Sequence, residues 1–101
     1  MATITREEVL EKIAAAKDEL RRMHVARLEL FGSVARGEAS ETSDVDLLVE
    51  FEPGTCVSLF DFAEVQVFLQ DLLGCEVELV MRHCVIPELR ERIYGEAIRV
   101  A

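Results

Sequence analysis

The 101-residue chain predicts an α/β fold, a small sheet with helices packed against it. Three observations carry that reading. Segments near 25–31, 44–51 and 75–81 alternate apolar and polar residues with the two-residue period of strands. Segments at 5–23 and 58–73 place apolar residues near the helical period. The two kinds take turns along the chain, the order that lays helices on a sheet.

Thr5 followed by Glu8 has the pattern of a capping box, and Val9, Leu10, Ile13, Ala16 and Leu20 then form one apolar stripe. One amphipathic helix over 5–23 is expected, ending at Met23-His24. The first strand, 25–31, should set Ala26, Leu28 and Leu30 on one face and Arg27 and Glu29 on the other. Gly32-Ser33 opens a short helical turn over Val34-Ala35-Arg36 that Gly37 closes, and 38–43 reads as polar loop. The second strand, 44–51, sets Val45, Leu47, Val49 and Phe51 against Asp44, Asp46, Leu48 and Glu50. Pro53-Gly54 is a turn. The dense apolar content of 58–73 predicts a well-buried helix with Gly74 as its stop. A third strand, 75–81, sets Val77, Leu79 and Met81 opposite Glu76, Glu78 and Val80. Pro87 suits the first position of a last helix to about Tyr94, and 97–100 an edge strand.

Length and composition bound the function. One domain, 1–101, is expected, and half the residues are hydrophobic, which favours a folded core. The apolar runs are too short for a membrane span and the first residues do not begin a signal peptide, so a cytoplasmic protein is expected. Cys56, Cys75 and Cys84 are odd in number without close pairing, which predicts buried free thiols rather than disulfides or zinc. Net charge is −9, from 20 acidic against 11 basic residues. That balance argues against tracking a long DNA or RNA backbone. It suits a metal-nucleotide site or a basic protein partner.

The chemistry sits in two neighbouring motifs. Asp44 and Asp46 lie two apart, so in a strand both carboxylates leave the same face. Side by side they repel, and a hard divalent cation such as magnesium relieves that repulsion while also taking phosphate oxygens. Solvated residues at a strand edge are the plain alternative for an isolated Asp-x-Asp. Upstream, Gly32 lets backbone approach a phosphate and the following helix start offers free N–H groups. The Ser33 hydroxyl can reach a terminal phosphate, and Arg36 adds positive charge. Ordinary serine capping is the alternative there. The two motifs together favour triphosphate and metal binding. Phe60, Phe62 and Phe68 read as core. His24 and His83 stand alone, Glu38 and Glu41 read as solvated loop, and no base-recognition feature is visible.

The run Leu30-Phe31-Gly32-Ser33, a loop, then Ser43-Asp44-Val45-Asp46-Leu47-Leu48-Val49 resembles the signature of the nucleotidyltransferase superfamily, the DNA polymerase β-like group, and more narrowly its minimal (MNT) branch. The resemblance implies a small mixed sheet flanked by helices and a two-magnesium site with ATP as substrate. It also implies a third carboxylate on the next strand, where relatives have Val-Asp-Leu-Val. Val77-Glu78-Leu79-Val80 stands at that place, so Glu78 inherits the third metal-binding and catalytic position, as a glutamate. Its extra methylene moves the carboxylate, and a misplacement of about 1 Å can cost roughly 10²-fold in rate. Glu76 is the weaker candidate.

The resemblance further implies an antitoxin of a HEPN/MNT pair, moving AMP from ATP onto a tyrosine of a HEPN-type toxin. The alternative is a catalytically weak or inactive antitoxin that neutralises its partner by contact, which the glutamate favours. Antibiotic nucleotidylation is a third reading, for which the chain is short of an acceptor pocket. Self-association stays open.

Overall fold

A computed structural model describes residues 4–38, 44–85 and 87–101. The start of the chain and most of the expected polar loop, including Glu41 and Ser43, lie outside the described residues. The expected α/β architecture is present: α1 (Arg6–Ala15), α2 (Lys17–Arg22), β1 (Val25–Phe31), α3 (Gly32–Arg36), β2 (Val45–Phe51), α4 (Leu59–Leu73), β3 (Val77–Met81), a 3-10 turn (Arg82–Cys84), α5 (Pro87–Glu96) and β4 (Ile98–Arg99).

The sheet is mixed, in the order β3-β2-β1-β4. β1 runs antiparallel to its chain neighbour β2, and also to β4, which comes from the far end of the chain. β2 and β3 are parallel, since α4 carries the chain back over the sheet between them. Alternation buries one face: Leu28, Leu30, Val45, Leu47, Val49, Val77 and Leu79 pack with Val9 and Ile13 of α1, Leu20 of α2, and Val65, Leu69 and Leu73 of α4. Each fully buried Leu or Val here is worth about 1.5–3 kcal/mol of transfer free energy.

The caps at Thr5 and Gly74 fall where the sequence signals put them, and a further one stands at Ser58. The Thr5 hydroxyl accepts the Glu8 N–H at 3.2 Å. Ser58 and Asp61 form a reciprocal capping box on α4, and Gly74 stops it in the left-handed conformation.

Four expectations need correction. The stretch 5–23 is two helices, broken at Ala16, whose N–H bonds back three residues to the Ile13 carbonyl. No glycine or proline marks that break. Ala26 is exposed rather than aligned with Leu28, because the register slips between Val25 and Arg27 and leaves it as the extra residue of a bulge. α4 is buried only along Val65, Leu69 and Leu73: Leu59 is 82% and Phe60 83% exposed, so Phe60 is not core. Phe62 and Phe68 do pack against the core. The thiols are not sequestered either: Cys56 and Cys84 are exposed and Cys75 is partly buried, enough to push its pKa up.

Candidate active site

The second face of the sheet carries the polar residues. The β1–β2 register sets Phe31 opposite Asp46, and the β2–β3 register sets Asp46 opposite Glu78. The end of β1, the start of β2 and the start of β3 therefore converge at one corner.

Gly32 makes the turn from β1 into α3 at that corner. Its φ is +77°, a conformation that costs a side-chain-bearing residue. A Cβ there would lie 2.1 Å from Asp46 Oδ2, so the missing side chain makes room for the carboxylate. Sequence reasoning assigned this glycine to phosphate approach; the fold adds the approach of Asp46. Ser33 follows in the first turn of α3, partly buried, and its carbonyl accepts the Glu38 N–H at 2.8 Å. Gly37 closes the helix in the left-handed conformation.

The carboxylates feel one another. The Asp46 pKa is pushed from 3.8 up to about 6. Burial is the largest cause, followed by a hydrogen bond with Glu78 and the charges of Glu78 and Asp44, while Arg36 pulls the other way. Glu78 and Asp44 are both exposed, and Asp44 lies just ahead of β2. Among the described residues no three His, Cys, Asp or Glu side chains close into a ready-made metal cluster. Asp46 and Glu78 are brought together; Asp44 stands beside them as a source of repulsion. Glu76 precedes β3 and is exposed, and its carbonyl accepts the Val45 N–H at 3.0 Å.

Arg36 is placed differently from the expectation. Its guanidinium donates to Glu38 and to Glu96 of α5, each at 2.9 Å, and its pKa is raised by those two bonds. To reach a phosphate it must exchange these partners.

A second polar cluster was missed in the sequence. Glu29 is only 4% exposed, although it sits on the polar face of its strand, beside Arg27. Arg82 donates to Glu29, and Arg27 approaches it at 3.4 Å. The Arg82 guanidinium stacks 4.1 Å from the Tyr94 ring centroid, and the Tyr94 hydroxyl donates to the Arg82 carbonyl at 2.8 Å. The signal was an acidic residue in a strand flanked on both sides, β1 lying between β2 and β4. Arg27 is two residues away on the same strand, but Arg82 comes from a segment 53 residues away, which no local pattern reveals.

Known proteins place this arrangement. The nucleotidyltransferase domain family matches residues 13–100. The protein adenylyltransferase MntA of Thermococcus cleftensis is 42% identical over 101 residues, spanning 99% of this chain and 100% of that protein. A solved structure provisionally named a minimal nucleotidyltransferase superposes with a TM-score of 0.80 at 40% identity, covering 97% of this chain and 98% of its own. A chain of the complex between a tri-AMPylated Shewanella oneidensis HEPN toxin and an MNT antitoxin shares the fold, with a TM-score of 0.65 at 18% identity over 96% of this chain and 72% of that one. Matched across 13–100 and alike end to end with MntA, the chain belongs to the nucleotidyltransferase domain family, in its minimal branch, and is a nucleotidyltransferase enzyme.

Proposed function

We propose that this enzyme moves AMP from magnesium-bound ATP onto a hydroxyl of a protein partner, and that the partner is a HEPN-type toxin silenced by the transfer in the cytoplasm. The carrying observation is the Asp46–Glu78 register pair beneath the Gly32 turn. The donors there are all carboxylate oxygens, and burial together with that crowding raises the Asp46 pKa to about 6; that is a donor set which fits a hard divalent cation. Asp44, Asp46 and Glu78 would hold the magnesium, two ions in the full site. Bound magnesium supplies charge neutralisation on the phosphates and polarisation of the reacting phosphorus.

The chain's own groups do the rest by positioning. Backbone N–H groups at Gly32-Ser33 and the Ser33 hydroxyl bind the polyphosphate oxygens. Arg36 adds charge after leaving Glu96. Glu78 takes the proton of the acceptor hydroxyl as its oxygen bonds to the α-phosphorus. The α–β phosphoanhydride bond breaks and pyrophosphate leaves. A protein acceptor agrees with MntA being a protein adenylyltransferase and with a net charge of −9, which suits neither DNA nor RNA.

A second reading rests on the glutamate at position 78 and on the engagement of Arg36 by two carboxylates: neutralisation by contact alone. Incubation with a HEPN-type partner and Mg-ATP, followed by intact-mass measurement of the partner, separates them. Transfer adds one or more AMP units and stops in Glu78→Gln. An unmodified partner that is still neutralised leaves the contact reading.

A further inference from the structure

We propose that the edge formed by α4 and β3 is a docking surface for a partner-protein segment that is apolar on one face and flanked by Lys and Arg. Leu59 and Phe60 stand 82% and 83% exposed at the start of α4, and Val67 is 54% exposed about two turns further on. Large apolar side chains held this far into water are costly unless something covers them. Leu59 and Phe62 border a groove of about 420 Å³ whose far wall is Leu79 and Met81 of β3.

β3 is an edge strand. The outward N–H and C=O of Val77 are engaged by the Gln70 and Gln66 side chains of α4, which close that end of the edge. Backbone groups of alternate residues leave a strand on the same side. Those of Leu79 and Met81 therefore point outward as well, beside the groove.

Charge selects the occupant. From Asp44 to Met81 the chain carries nine carboxylates and no Lys, Arg or His. On α4 itself Phe60, Glu64, Val67 and Asp71 form one exposed stripe at spacings of three and four residues, about a third of a turn round the helix from Leu59 and the groove, where they meet the flank of an occupant. An apolar segment with cationic flanks meets complementary charge there, whereas a second copy laid on the same face meets its own sign. The surface uses the strand that carries Glu78, but on the opposite face of the sheet from that carboxylate, so an occupant leaves the transfer site open. The inference does not depend on transfer taking place.

The test uses the full chain and three labelled synthetic peptides. One is an amphipathic Leu/Lys helix, one the same composition scrambled to remove its apolar face, and one a Leu/Glu counterpart. Anisotropy titration should show the Leu/Lys helix binding at least about ten-fold tighter than either control. Leu59→Ser/Phe60→Ser should lower that affinity about ten-fold with an unchanged melting temperature, since both side chains are exposed. Glu64→Lys/Asp71→Lys, which alters no apolar residue, should lower it as well, and Asp46→Asn should leave it intact. Equal binding of the scrambled peptide overturns the proposal, as does indifference to Leu59→Ser/Phe60→Ser. So does sedimentation showing a parent dimer that this double substitution converts to monomer, because the occupant is then a second copy.

Discussion

Replacing Asp46 by Asn removes a carboxylate that the fold holds at a cost when no cation is bound. Between pH 3.8 and about 6 the folded chain keeps a proton on this group that the unfolded chain has released. Stability of the cation-free protein therefore falls as pH rises through that window and levels off above it. A shift of about two units corresponds to roughly 3 kcal/mol if the group were sealed from water. Asp46 is only half-buried, so screening reduces this to about 1–2 kcal/mol. The Asn variant lacks that slope. In EDTA it should match the parent near pH 4 and gain about 5–10 °C in melting temperature above pH 6.5, given the sensitivity expected of a domain this size. Thermal melts followed by circular dichroism from pH 4 to 8.5 measure it, and Mg-ATP titration should show binding lost in the same variant. A gain that is absent, or equal at pH 4 and pH 8, refutes the reading of Asp46 as a partly buried carboxylate raised by burial and by its acidic neighbours. Binding of Mg-ATP at parental affinity refutes its role as a ligand.

Gly32→Ala forces a Cβ onto Asp46 and a positive φ onto alanine, so it should cost at least about 1 kcal/mol and remove activity, read by melting and by AMP transfer. Glu78→Gln should lower partner modification by about 10²-fold while most ATP affinity remains, because the lost group is the proposed proton acceptor and one of three ligands. Glu29→Ala leaves Arg82 and Arg27 facing an empty site and should destabilise by about 3 kcal/mol, measured by urea unfolding. Ser33→Ala should narrow the preference for ATP over AMP in a calorimetric titration, since AMP lacks the phosphates that the hydroxyl is placed to hold. Glu96→Ala should widen that preference by freeing Arg36.

What the chain settles by itself is whatever depends on near neighbours. Strand and helix periods, the Thr5 and Gly74 caps and the order of elements are local, because each rests on contacts within a few residues. The nucleotidyltransferase signature is local for the same reason: Gly32-Ser33 and Asp44-x-Asp46 flank one turn and one loop. Tertiary structure decided the features that depend on which strands become neighbours. The register of parallel β2 and β3 is what sets Glu78 opposite Asp46; their separation of 32 positions does not show it, and the sequence reached Glu78 only through the resemblance of Val77-Glu78-Leu79-Val80 to the family's motif. The bulge at Ala26 rephases β1, and the central place of β1 buries Glu29 on the polar face of its strand. Hydrophobicity likewise placed Phe60 in the core, yet a helix packs along one stripe only. Val65, Leu69 and Leu73 occupy it, so Phe60, on the other side of the cylinder, is left in solvent, as is Leu59 at the flank of the first turn.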